Sequence, residues 1–240
     1  MNDSLYLILA LIIFGVMPCL IWLAIFLRRD IHPESNGMIL KVFLWGVLAT
    51  IPTVLIEMGI AKQFELLNNF LNPTLIGLLK TFIGVALIEE LLKYLVVRGK
   101  AFNNNEFDEP TDAILYMIIA GLGFAALENV LALFPFMNSF SDVLVVNIFR
   151  FIGAIFLHAL CSGTIGYFVA LSFYETKKRT RHFITGLAIA TFLHGLFNFS
   201  IIEIEGPLKF IIPLTILIGL GLFVFSRFRK LKKMTSVCKI

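Results

Sequence analysis

Glu89, Glu90, Lys93, Glu128, Arg150, His158 and His194 all interrupt long stretches of sequence that are otherwise apolar. A charge at the middle of a bilayer costs at least ~2.5–3.5 kcal/mol, so each of these groups calls for a partner, a water-filled cavity or a function. Their types are those of proton transfer and metal binding. Carboxylates take and return protons, imidazoles do the same or bind metals, and cations hold an anion in place.

In Glu89-Glu90-Leu91-Leu92-Lys93, positions four apart share a helix face, so Glu89 and Lys93 are set to pair. Glu90 lies about 100° round the helix from Glu89. On this spacing Lys93 neutralises only one carboxylate well, and the other must be protonated, metal-bound or paired with another helix. Glu128, within Phe124-Ala125-Ala126-Leu127-Glu128-Asn129, has no basic residue within a turn, so its partner must also come from another helix. Gly121 and Gly123, shortly before it, allow helices to approach closely. Arg150 precedes His158 by two turns and reads either as an interfacial residue or as one facing the same cavity. His158 and Ser162 share a face. His194 and Asn198 also share one and are expected to point into a common cavity, with Gly195 removing a side chain beside the histidine.

Two imidazoles and a carboxylate can hold zinc with a fourth position open, which makes His158, His194 and Glu128 the expected metal ligands. Zinc there would polarise a carbonyl and lower the pKa of water, with another carboxylate as base. The same groups support a metal-free route, in which a glutamate activates water and His194 with Asn198 stabilises an oxyanion. Spacing leaves both routes open. The expected catalytic set is Glu89, Glu90, Glu128, His158, His194 and Asn198. A His-Glu-x-x-His helix motif is absent, and the apolar stretches hold no convincing serine dyad or aspartate pair.

These residues must be positioned by helices in lipid. The chain of 240 residues is 59% hydrophobic and only 15% charged, against about 25% in a soluble domain. Its mean hydropathy is +0.92. A crossing needs about 20 apolar residues. The pattern predicts an all-α polytopic bundle of about seven spans: Leu5–Leu27, Met38–Ile60, Pro73–Val97, Asp112–Phe136, Val146–Tyr174, Phe183–Ile204 and Phe210–Phe225. The fifth is overlong. Pro110-Thr111-Asp112 marks a helix start. Strands are excluded because the runs lack two-residue alternation.

In the loops and tail, Arg28, Arg29, Arg98, Lys100, Lys177, Lys178, Arg179, Arg181 and the basic cluster from Arg227 to Lys239 fall on one side. Only Lys62 and Lys209 fall on the other. That bias places the N-terminus outside and the C-terminus in the cytoplasm. It also accounts for the net charge of +4 without nucleic acid as a partner. Cys19, Cys161 and Cys238 form no disulfide framework and read as small apolar residues. The first apolar run is too long, and lacks the basic flank, for a cleaved signal peptide. His32 and His182 read as surface residues in loops. No linker separates domains, so residues 1–240 form one membrane domain, with the chemistry in a bundle at about 73–200.

Taken in order, Glu89-Glu90-x-x-Lys93, Gly121-x-Gly123-Phe124-Ala125-x-x-Glu128-Asn129, Arg150 ahead of His158-x-x-x-Ser162-Gly163-x-x-Gly166, and His194-Gly195-x-x-Asn198 resemble the PrsW family of intramembrane proteases. The resemblance runs from about Pro73 to Asn198, each motif on its own span. This family is related to the CAAX-protease and bacteriocin-processing superfamily. The resemblance implies an endopeptidase in a prokaryotic cell membrane that cuts a membrane-anchored protein, such as an anti-sigma factor in regulated proteolysis. By position, Glu89 and Glu90 match the paired glutamates, and His158 and His194 match the family histidines with Asn198 as polar partner. Glu128 stands where the CAAX-type relatives have a histidine. Zinc dependence and glutamate dependence without metal both remain open.

Two other readings compete. Intramembrane carboxylates and histidines also build ion relays, which makes a proton- or metal-coupled transporter the alternative. Inverted repeats and broken helices would favour it, and neither is evident in the sequence. In a non-catalytic adaptor, the buried charges would be structural pairs only.

Overall fold

The computed structural model describes residues 2–30, 32–67 and 70–234, which form helices joined by short turns and no strand. Among the described residues nine α-helices follow one another: α1 (Asn2–Leu27), α2 (Asn36–Leu66), α3 (Pro73–Leu79), α4 (Ile88–Lys100), α5 (Pro110–Leu133), α6 (Phe140–Ile152), α7 (Ala154–Tyr174), α8 (Arg179–Glu203) and α9 (Leu208–Leu231). A π-helical segment, Lys80–Leu87, joins α3 to α4 without a break. Local chemistry sets several starts. Ser35 Oγ accepts from the Met38 backbone N–H and caps α2. Asn72 caps α3, with Pro73 in the first turn. The expected start at Pro110 is present, and Glu109 and Asp112 cap each other's backbone there.

The centre of the bundle is α5, buried at nearly every position from Pro110 to Ala126. It is apolar all round, as a helix must be when other helices surround it. α7, α2 and α1 pack directly on it. Close approach depends on absent side chains. A Cβ on Gly123 would lie 2.1 Å from the Phe43 carbonyl oxygen on α2, and one on Gly121 would lie 2.4 Å from Ser162 Oγ on α7. The outer helices turn large apolar residues outward, among them Leu55, Phe149 and Leu222 at 66%, 69% and 71% exposure. Water would not tolerate so large an apolar surface, whereas lipid tails do.

Among the described residues, six helical stretches are long and apolar enough to cross a membrane: Leu9–Leu27, Asn36–Leu66, Pro110–Phe136, Phe140–Tyr174, Thr176–Glu203 and Leu208–Leu231. The expected third span is helical from Pro73 to Lys100 but stands outside this set. It carries Lys80, Glu89, Glu90, Lys93 and Arg98, and it is held by the bundle rather than by its own hydropathy.

The expected single helix Val146–Tyr174 is instead two helices. Gly153 leaves helical geometry at φ −92°, ψ −92° and separates α6 from α7. The excess length is thus divided between two helices, the first of which ends at Ile152. His182 lies in the first turns of α8 rather than in a loop, 3.6 Å from Glu175. Cys19 and Cys161 are buried free thiols, and Cys238 lies outside the described residues.

Candidate active site

Three helices bring the charged residues together. α4 supplies Glu89, Glu90 and Lys93 at its start, α7 supplies His158 and α8 supplies His194. All five side chains are buried, with Glu90 and Lys93 at 0% exposure. The π-helical segment ends immediately before this acidic pair. Thr81 helps to unsettle the regular helix there, donating its hydroxyl to the Gly77 and Leu78 carbonyls at 2.8 and 3.2 Å. α8 reaches the segment because residue 195 is glycine. A Cβ there would lie 2.7 Å from the Phe82 ring and 3.1 Å from the Phe82 Cα.

Lys93 is the hub. Its ammonium donates to Glu89 Oε2 at 3.0 Å, to Glu90 Oε1 at 2.8 Å and to His158 Nδ1 at 2.8 Å. The expectation that it would serve only one carboxylate is thereby corrected. The flexible stem places Nζ between the residues three and four positions earlier, so one cation holds both. Its third contact fixes the state of a histidine. An ammonium only donates, so His158 Nδ1 must offer its lone pair and the ring proton sits on Nε2. That atom faces Glu128 Oε2 at 2.5 Å.

His194 has the complementary arrangement. Its Nδ1 meets Glu90 Oε1 at 2.9 Å, and its Nε2 lies 3.9 Å from Glu89 Oε2. A carboxylate accepts, so Nδ1 carries the proton and Nε2 is left with a lone pair. The two imidazole rings stand edge to face with centroids 5.0 Å apart. Phe124 closes one wall, its ring 4.4 Å from Lys93 Nζ.

Glu128 is tied from the other side. Arg150, at the end of α6, donates through Nη2 to Glu128 Oε1 at 2.9 Å and through Nε to Asn129 Oδ1 at 2.6 Å. Asn129 in turn donates to Asn147 Oδ1 at 3.0 Å and to the Gly15 carbonyl at 3.2 Å. The break at Gly153 lets Arg150 reach inward while His158 stays on α7. Arg150 therefore faces the polar centre and is not an interfacial residue.

Glu89, Glu90, His158 and His194 present one ligand atom each within 4.8 Å of one another, a set able to hold a metal ion. Ligand atoms around a tetrahedral zinc are about 3.3 Å apart, given metal–ligand bonds near 2.0–2.1 Å. Glu89 Oε2 lies 3.6 Å from His158 Nδ1 and 3.9 Å from His194 Nε2, and both nitrogens carry lone pairs. The donor types therefore fit zinc, and holding it requires Lys93 Nζ, 3.0 Å from Glu89 Oε2 and 2.8 Å from His158 Nδ1, to withdraw. Lys93 is the cation that now neutralises the same atoms. Glu128 lies across the His158 ring from the lysine, outside the four-residue set. Asn198, one turn after His194, is half-buried and makes no hydrogen bond with the described residues.

One acid near this centre escaped the sequence reading. Glu57 on α2 is half-buried, and its Oε1 is buried without a hydrogen-bond partner. It is within electrostatic reach of Glu89, Glu128 and Lys93. Its signal was available, since it is the only charged residue between Lys41 and Lys62 in an otherwise apolar run. Asn147, the partner of Asn129, was also passed over.

Comparison with known proteins gives a consistent result. The PrsW-protease family, described as "PrsW family intramembrane metalloprotease", matches residues 34–226. The chain is 30% identical to "Protease PrsW" of Geobacillus kaustophilus (strain HTA426), over 82% of this chain and 81% of that protein. It is 26% identical to "Protease PrsW" of Bacillus subtilis (strain 168), over 95% of this chain and 97% of that protein. A third relative of the same name, from Clostridioides difficile (strain 630), is 26% identical over 80% of this chain and 79% of its own length. No solved structure matches.

Proposed function

The chain belongs to the PrsW family of intramembrane metalloproteases, and on that premise we propose that the Glu89/Glu90/His158/His194 cluster hydrolyses a peptide bond of a membrane-anchored protein. The observation that supports this reading most is the convergence of two imidazole lone pairs on one buried carboxylate, beside a second carboxylate with a spare oxygen. Glu90 Oε2 is buried and has no hydrogen-bond partner. A buried acceptor without a donor is costly unless something else supplies one, and a water molecule is what a hydrolase needs there.

In this reading Glu89, His158 and His194 hold the metal. Glu89 takes the ligand role in place of Glu128, because it lies between the two lone pairs. A zinc ion so held supplies Lewis acidity, polarising the scissile carbonyl and making water more acidic. Glu90 Oε2 takes the proton as the water oxygen bonds to the carbonyl carbon, and returns it to the amide nitrogen as the C–N bond breaks. Glu128, fixed by Arg150, keeps the His158 proton on Nε2 and so leaves the Nδ1 lone pair, which now accepts from Lys93, to face the cluster. The Asn198 amide, unpaired one turn from His194, donates to the carbonyl oxygen as it gains charge. Lys93 holds Glu90 Oε1 in place and leaves Oε2 toward the water. Without metal, the same proton path runs through Glu90, with the Asn198 amide at the oxyanion and His194 holding Glu90 through its Nδ1 proton.

The substrate class is a protein with a membrane anchor, and an anti-sigma factor in regulated proteolysis is the specific case proposed. The proposed topology counts Pro73–Lys100 as a crossing, giving seven spans with the N-terminus outside. The test is co-expression with a panel of tagged single-span proteins, comparing wild type with Glu90→Gln and His194→Ala at matched membrane levels. A fragment made only by wild type is expected. No fragment across the panel, or one that persists in both variants, would refute the proposal.

A further inference from the structure

The inward face of α2 changes neighbours partway along its length. Its first half lies on α5. The Phe43 carbonyl meets Gly123, a Cβ on Gly46 would touch the Ala120 carbonyl oxygen at 2.3 Å, and Thr50 donates to the Phe124 carbonyl at 3.1 Å. Its second half lies on the π-helical segment, where Ile60 and Phe64 cover Gly84. Glu57 sits between these contacts, one turn after Thr53 and one before Ile60. Pro52 lies just upstream and leaves the Leu48 carbonyl without its helical donor, which favours a bend where α2 departs from α5.

The residues flanking Glu57 face outward. Leu55, Ile56 and Met58 are 66%, 42% and 65% exposed, in a stretch whose surroundings are lipid. Glu57 is therefore a carboxyl group on the seam between lipid and the polar centre. Glu89, Glu90 and Glu128 are each bonded to a cation, whereas Glu57 makes no hydrogen bond with the described residues. Its unpaired oxygen is available to a group that arrives from the lipid side.

We propose that a substrate's membrane segment enters from the lipid at this seam, beside α2 where it passes from α5 to the π-helical segment, and that Glu57 accepts a hydrogen bond from its backbone there. The proposal rests on the peptidase reading. A helical segment cannot be cut until it opens locally, and each backbone N–H released in lipid must find an acceptor at once. Glu57 supplies one within electrostatic reach of the cluster, between Pro52 and the contacts of α2 with the π-helical segment. It is a substrate-positioning residue, distinct from the groups that move protons.

The test places a photo-crosslinking amino acid at Glu57, or at the lipid-facing Leu222 on α9, in the Glu90→Gln background. Each is illuminated in proteoliposomes with a tagged single-span protein that wild type cuts. A covalent adduct from position 57 and none from 222 is expected. No adduct from 57, or equal adducts from both, overturns the entrance while leaving the peptidase reading intact. If wild type cuts no tagged protein, both fall together. In parallel, Glu57→Leu should lower kcat/KM about tenfold, mainly through KM, with Glu57→Gln losing less because it keeps an acceptor oxygen. A Leu variant with wild-type KM at matched membrane levels also overturns the proposal.

Discussion

Replacing Lys93 by Met keeps the length of the side chain and removes the cation that three groups share. The structure puts Glu89 Oε2, Glu90 Oε1 and His158 Nδ1 within 3.0 Å of that one ammonium, in a site where Lys93 and Glu90 have no exposure. Removing one partner of a buried ion pair costs about 3–5 kcal/mol, because the other charge is left uncompensated. Lys93 serves two carboxylates, so the upper part of that range applies unless one of them takes up a proton. For a chain of this size the loss corresponds to a fall in Tm of roughly 6–20 °C. Trp22, stacked on Phe156 at 4.1 Å between α1 and α7, provides the fluorescence signal for melting in detergent. Zinc should restore much of the loss, since a divalent cation neutralises the same oxygens. At a hundredfold excess over Kd the gain is about 2.7 kcal/mol. The variant combined with His158→Ala should gain little. If Lys93→Met melts like wild type without metal, the hub role is wrong. If it is destabilised and zinc does not raise it, the metal-binding reading of the cluster is wrong.

Arg150→Met should lower activity about 10–100-fold at unchanged membrane levels by freeing Glu128 and with it the His158 ring, and Arg150→Lys should not restore it, because Nε and Nη2 bond to different residues; cleavage assays check both. Gly195→Ala drives a methyl group into Phe82 and its backbone, and thermal unfolding should show a loss of about 1–3 kcal/mol. Glu34, in the turn before α2, is held above its ordinary carboxyl range chiefly by burial and by nearby Asp30 and Glu106, against the opposing hydrogen bond from the Tyr116 hydroxyl. A raised carboxyl binds its proton more tightly folded than unfolded, so its contribution is fully present below the ordinary value of 4.5 and is lost as pH rises through the folded value. Glu34→Gln should therefore lose less Tm than wild type between acidic and neutral pH in melts across that range.

Most of the helices were legible because lipid enforces a simple rule. A crossing helix must carry a long apolar window, and Leu9–Leu27, Asn36–Leu66 and Leu208–Leu231 do. The helix of Glu89 and Glu90 was legible for the opposite reason, since charges so costly in lipid must be held by neighbours. The break at Gly153 was not legible, because a glycine in a membrane helix usually marks close packing rather than a change of direction. Glu89, Glu90, His158 and His194 stood out because each interrupts an apolar stretch with a group that lipid does not tolerate alone. Spacing alone did not reveal that Lys93 would reach both carboxylates, nor which face of His158 would meet Glu128. Those outcomes depend on side-chain rotamers and on the approach of α6. Glu57 was passed over because it belongs to no motif, although it alone carries charge between Lys41 and Lys62.

The most direct test of hydrolysis by this cluster inside the bilayer is mass spectrometry of fragments made by purified protein in proteoliposomes containing water labelled with the heavy oxygen isotope. The probe is a tagged single-span protein cut on co-expression. Wild type should cut within the apolar span of the probe and place one heavy oxygen in the new carboxyl terminus, while Glu90→Gln and His194→Ala should yield no fragment. A cut confined to the soluble flanks, a new terminus without the label, or equal cutting by the variants would contradict it.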